Sequence, residues 1–251
     1  MSSCKPRPAP ILTPENRQQR VNWCNTHSDW TLADWKAVLF SDESRATLDG
    51  QDGRIRIWRK SKQRFHPDCL LPTQHQAPGL MGWGCFSWLG LGPLIVLEQN
   101  VTGNSYSELL EIHVLPTMMA MFDEIEDGVF QDDNAQAHRS HTASAKAEEL
   151  GIERLPWPAH SPDLNPIENL WSLLKKRIKS KENRPTNIPE LRASLDQAWA
   201  ELAEQTQIWR PLIESMPSRI AAVKKSRGYP INHCIFVNFS FFLGVRIILL
   251  T

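Results

Sequence analysis

The chain has 251 residues, 41% hydrophobic and 22% charged, with 28 basic side chains against 28 acidic ones and so no net formal charge. That composition buries an ordinary core and excludes disordered, collagen-like and disulfide-stapled classes. A zero balance offers no global attraction to polyanions, so any nucleic-acid contact must come from local charge distribution.

In chain order, Met1 to Pro14 has no apolar signal-peptide core, and residues 1–35 read as a linker segment ahead of a domain over 36–228. Ala37-Val38-Leu39-Phe40 is a short continuous apolar run, as expected of a strand buried on both faces, and Asp42 follows it. Arg54 to Trp58 alternates like a strand. Arg54, Arg56, Arg59, Lys60, Lys62 and Arg64 crowd this stretch with Trp58 and Phe65 interleaved, a pattern that neutralises phosphates and stacks on unpaired bases. A solvated basic edge strand has the same composition.

Gly82 to Trp88 and Leu94 to Leu97 read as further strands, and Asn104 to Phe122 as a helix kinked near Pro116. A turn at Asp127-Gly128 leads to the apolar run Gly128 to Gln131, which delivers Asp132 and Asp133. Strand neighbours point to opposite faces, so only one of these two aspartates can share a site with Asp42, and spacing does not choose between them. His141 to Leu150 forms a short helix ending at Gly151, and Ile152 to Leu155 adds a strand.

Asn165 is a good N-cap and Pro166 suits the first helical position. Ile167, Leu170, Trp171, Leu174 and Ile178 then recur at helical spacing as a core-facing stripe. Glu168 falls in the first turn, where an acid serves either as a capping-box partner or as a ligand. Lys175, Lys176, Arg177, Lys179 and Lys181 cluster toward the helix end, where the helix dipole favours cations and where a DNA-backbone or nuclear-import role is the competing reading. Ile188 to Leu202 and Ile208 to Lys225 read as helices.

Residues 229–251 form a divergent apolar tail. Asn238, Ser240 and Arg246 interrupt it short of the about 20 apolar residues a membrane helix needs, so no membrane anchor is expected. Cys4, Cys24, Cys69, Cys85 and Cys234 have no metal-ligand spacing and point to a reducing compartment. His138 and His141 lack further ligands and read as structural.

Asp42, Asp133 and Glu168 thus sit near the ends of separate elements, and two adjacent parallel strands would bring the aspartates together at one rim of a sheet. Three carboxylates suit hard divalent cations such as Mg²⁺, which can flank a phosphodiester during in-line displacement.

Longer stretches carry a family resemblance: Ser41-Asp42-Glu43-Ser44, Ile57-Trp58-Arg59-Lys60, Gly82-Trp83-Gly84-Cys85-Phe86, Asp133-Asn134-Ala135-Gln136-Ala137-His138, and Trp157 through Pro158, Asn165 and Glu168 to Trp171. From about residue 10 to about residue 228 the chain resembles the catalytic half of mariner-type DNA transposases. The resemblance implies an α/β fold, a ribonuclease H-like mixed five-stranded sheet flanked by helices. It implies an Asp, Asp, Glu triad at Asp42, Asp133 and Glu168, with Asp133 preferred because an Asn follows it and 34 residues separate it from Glu168. It further implies two Mg²⁺ or Mn²⁺ ions, DNA as substrate, cleavage followed by strand transfer, and work in the nucleus; a homodimer is compatible with it. Nothing before residue 35 is long enough for the family's paired helix-turn-helix recognition modules, so that unit is expected to be missing. The alternative is a catalytically inactive, transposon-derived nucleic-acid-binding or oligomerisation module.

Overall fold

The computed structural model describes residues 12–48, 78–98, 100–123, 127–180 and 184–231. Helix α1 (Pro14–Thr26) and the short α2 (Leu32–Lys36) lead into β1 (Val38–Thr47). Strands β2 (Gly79–Phe86) and β3 (Leu91–Leu97) extend the sheet antiparallel on one side, and β4 (Val129–Gln131) lies parallel to β1 on the other, giving the order β3-β2-β1-β4. The helices are α3 (Gly103–Leu109), α4 (Leu115–Met121), α5 (His141–Glu149), α6 (Ile167–Ser180), α7 (Ile188–Ala203), α8 (Thr206–Glu214) and α9 (Met216–Lys225).

Strand alternation sorts the core into two layers. Val38 and Phe40 of β1 pack with Trp35, Phe86, Trp171, Leu174 and Trp199 on the α6–α9 side. Leu39 packs with Trp83, Cys85, Tyr106, Leu110 and Phe130 on the α3–α5 side. A helix layer on each face of a mixed sheet is the expected α/β solution. Within the stretch read as a linker, Trp23, Cys24 and Trp35 are buried in the first of these layers.

The structure changes several sequence expectations, each for a local reason. Among the described residues the sheet has four strands rather than five. Ile152 to Leu155 makes a single parallel bridge, in which Phe130 donates to the Glu153 carbonyl and accepts from Leu155 N–H, both at 2.8 Å. β4 is only three residues long, so the ladder stops there. The Asn104 to Phe122 helix is interrupted by a π-helical turn, Leu110–Val114, immediately before Pro116 in the first turn of α4. A widened turn accommodates a ring that cannot donate a helical hydrogen bond. The expected helix from Ile208 to Lys225 breaks at Ser215, because Pro217 occupies the first turn of α9. Finally, β1 runs on through Asp42 to Thr47 against β2, so Asp42 is mid-strand rather than after the strand. Its parallel pairing with β4 ends at Phe40–Gln131, which still leaves Asp42 just past the rim of the parallel part. The basic stretch Arg54, Arg56, Trp58, Arg59, Lys60, Lys62 and Arg64 lies outside the described residues, as does most of the tail.

Candidate active site

Asp42, Asp133 and Glu168 line one cleft of about 450 Å³, together with Asn134, Trp157, His160 and Asn165. A buried polar junction holds the three contributing elements in register. Ser41 N–H donates to Gln131 Oε1 at 3.3 Å and its hydroxyl to the Gln131 carbonyl at 2.8 Å, tying β1 to the end of β4. Asn165 Nδ2 donates to the Ser41 carbonyl at 3.0 Å, while its Oδ1 accepts from Ile167 N–H at 3.3 Å and caps α6. The residues that aim the acids are therefore the polar neighbours just ahead of them in sequence. In that position they satisfy backbone groups that burial would otherwise leave orphaned.

The two adjacent aspartates are sorted by their surroundings. Asp132 is buried, 3% exposed, and turns from the cleft toward Tyr106 Oη at 2.9 Å and Arg154 Nη2 at 2.5 Å, with Asn134 N–H on its other oxygen at 3.1 Å. Asp133 instead borders the cleft, accepting from Ala135 N–H at 2.8 Å. Asn134 between them and the loop adopts a left-handed φ of 61°, a conformation Asn tolerates better than most residues, and its amide donates to the Trp157 carbonyl at 2.6 Å.

Glu168 makes no capping bond among the described residues; the cap is the Asn165 side chain alone. The face of α6 that carries Glu168 also carries Trp171 and Lys175. Trp171 stacks on Trp199, with ring centroids 5.4 Å apart, and both rings lie over Gly84, the residue paired with Asp42 across β1 and β2. Only the missing side chain at Gly84 lets α6 come this close to the sheet. Lys175 donates to Ser44 Oγ at 2.7 Å, two residues beyond Asp42 on the same strand face. Sequence reading grouped it with the helix-end cations; the i+7 spacing from Glu168, two helical turns, is the signal that places it beside the acids.

Electrostatics separate the acids. Burial, then the Glu168, Glu43 and Asp133 carboxylates, push Asp42 well above the usual aspartate range. Burial also raises Glu168, opposed by Lys175. For Asp133 burial acts upward too, but contacts from His138 and the Ala135 N–H outweigh it and hold the carboxyl below its ordinary value. Burial depresses His138, and the flanking Asp133 and Glu43 override that to lift it to about 9. The cleft thus gathers three carboxylates, with the Lys175 ammonium beside them and the Arg139 guanidinium on its lining. Such an all-oxygen donor set, whose own repulsion raises Asp42, fits a hard divalent cation.

Residues 37–192, which contain all three acids, match the family described as DDE superfamily endonuclease. The chain belongs to that family. Among curated relatives of this DDE endonuclease, the transposable element Tcb1 transposase of Caenorhabditis briggsae is 34% identical over 227 residues, covering 90% of this chain and 81% of that protein. The Tc1 transposase of Caenorhabditis elegans is 33% identical over 226 residues, with the same shares. The chain is the catalytic domain of a DDE transposase. Its fold matches the catalytic domain of Mos1 mariner transposase, with a TM-score of 0.68 at 18% identity over 90% of this chain and all of that one. A Mos1 paired end complex with Mg matches with a TM-score of 0.75 at 18% identity, covering 92% of this chain and 68% of that one.

Proposed function

We propose that this domain cuts DNA phosphodiesters and joins the freed ends to new strands, with Asp42, Asp133 and Glu168 holding two divalent ions, Mg²⁺ or Mn²⁺. The observation that carries the reading is the meeting of these three acids, from β1, the end of β4 and α6, in one cleft. Structures similar to this chain include Mos1 catalytic domains described with Mn or Mg and Mos1 complexes with transposon ends, which supports divalent ions and DNA here.

When bound, divalent ions supply Lewis-acid activation of water and stabilisation of a leaving 3′ oxygen. The chain's own contribution is placement. Asp42 is fixed by the strand, Asp133 by the turn after β4, and Glu168 by the Asn165 cap, so the donor oxygens are ordered before substrate arrives. Lys175 offsets part of their mutual repulsion through Glu168 and Asp42. No covalent protein nucleophile is needed, and the basic stretch from Arg54 to Arg64 is assigned to holding the DNA backbone.

We place the reaction in the nucleus, where its substrate is, and in a homodimer able to hold two DNA ends. Among the described residues no helix is long and apolar enough to cross a membrane. The test is nicking of a DNA duplex by the purified chain in Mg²⁺ or Mn²⁺. Asp42→Ala and Glu168→Gln should abolish nicking while changing DNA affinity little, because the acids act on chemistry rather than docking. Metal-independent nicking, or nicking that survives both substitutions, would refute the assignment.

A further inference from the structure

Glu43 follows Asp42 on β1 and so faces the opposite side of the sheet, where it meets a buried imidazole. His138 places Nε2 at 3.3 Å from Glu43 Oε1 and Nδ1 at 2.9 Å from Asp133 Oδ1. Both are ion-pair contacts rather than aligned hydrogen bonds, since neither Nδ1 nor Glu43 Oε1 has an aligned hydrogen-bond partner. The ring itself has little freedom. It stacks on Tyr106 at 3.9 Å and 22°, Tyr106 Oη is held by Asp132, and Arg154 binds Asp132 while donating to the His138 carbonyl at 3.0 Å.

The ligand atoms of Glu43, Asp133 and His138 lie within 4.8 Å of one another. Glu43 and Asp133 each meet a different nitrogen of the ring, so the imidazole stands between the two carboxylates. Asp133 is 47% exposed at its side chain, and among the described residues its carboxylate is held, apart from His138, by the Ala135 N–H alone, on the same Oδ1. With Oδ1 engaged twice, Oδ2 is left without a partner among the described residues, on an acid that lines the cleft with Asp42 and Glu168.

We infer that His138 is a positioning residue, a buried strut that fixes the Asp133 carboxylate so that Oδ2 is presented to the cleft. The inference rests on the proposed metal-holding role of Asp133. Supporting groups of this kind set ligand orientation, and removing one typically weakens metal affinity by about 10- to 100-fold.

The test is calorimetric titration of Mn²⁺ into the intact chain and three variants. An Asn amide nitrogen falls near the position of Nδ1 and a Gln amide nitrogen near Nε2, so His138→Asn keeps the Asp133 contact and His138→Gln keeps only the Glu43 contact. His138→Asn should bind within about threefold of the parent and His138→Gln about 10- to 100-fold more weakly, approaching Asp133→Asn. Equal losses in the two histidine variants would mark a packing role and overturn the inference. So would parental affinity in His138→Gln while Asp133→Asn is weak, which leaves the metal reading standing. Parental affinity in Asp133→Asn would overturn both.

Discussion

Substituting Gly84 by Ala tests whether the approach of α6 to the sheet sets the geometry of the cleft. A Cβ at Gly84 would lie 2.8 Å from Trp171 Cη2, 3.2 Å from its Cζ2 and 3.2 Å from Trp199 Cη2, where ordinary contact begins near 3.4 Å. Trp171 is 2% exposed and stacked on Trp199, so the ring has no open side to move into and α6 must shift outward by roughly 0.6 Å. Overpacking of this kind destabilises by about 1–3 kcal/mol, readable as a lower urea midpoint with unchanged slope. Glu168 lies one helical turn before Trp171 and moves with it. Since a displacement near 1 Å can lower a rate about 100-fold, nicking in Mg²⁺ should fall by roughly tenfold or more. Trp171→Phe removes the two ring atoms that clash. The double variant should therefore be more stable than the two single effects sum to, with a coupling of about 1–3 kcal/mol. A Gly84→Ala protein of parental stability and parental nicking rate would refute the reasoning.

Further predictions concern individual charges. Asp42 binds its proton more tightly in the native cleft than in the unfolded chain, whose value is near the ordinary 3.8. Native protein then holds more protons, so stability falls as pH rises from about 4 through the raised value, and the loss persists above it. Asp42→Asn should accordingly melt higher than the parent near neutrality, with the gap closing below about pH 4; coincident melting points across that range would refute this. Asp132→Asn should lower stability by about 1–3 kcal/mol in urea unfolding, because Arg154 loses its buried partner, while leaving Mn²⁺ affinity within about threefold. Arg20 is fully buried, paired to both oxygens of Asp163 at 2.7 Å and bonded to the Gly228 carbonyl at 3.0 Å. Arg20→Ala removes the ion-pair partner of that carboxylate, leaving it the Ile231 N–H at 2.8 Å, and should lower unfolding free energy by about 3–5 kcal/mol, with a change under 1 kcal/mol counting against it.

Local grammar made much of the cleft legible. Apolar runs ending in acids and an Asn-Pro helix start placed Asp42, the pair Asp132 and Asp133, and Glu168 near element ends, because strand burial and helix capping are decided by neighbours in sequence; the choice of Asp133 over Asp132 came from the family resemblance. What stayed hidden depends on residues far along the chain. The extent of β1 beyond Asp42 is set by its antiparallel partner β2, and the orientation of Asp132 by Tyr106 and Arg154, none of which the aspartate's own neighbours reveal. Gly84 stood inside a visible Gly-Trp-Gly pattern, yet its purpose appears only once Trp171 and Trp199 lie over it.

Glu43 shows the same limit most sharply. Strand alternation places it on the face away from Asp42, which reads in sequence as away from the chemistry. The turn at Asn134 then carries the chain round so that His138 returns beneath the sheet, touching Glu43 with one nitrogen and Asp133 with the other. Asp133 stands where β4 has ended, lining the cleft while it touches His138 from the other face. Beyond the charge of Glu43, the opposite face contacts the cleft acids, among the described residues, through that carboxylate, and a substitution there should alter the orientation of Asp133 before that of Asp42 or Glu168.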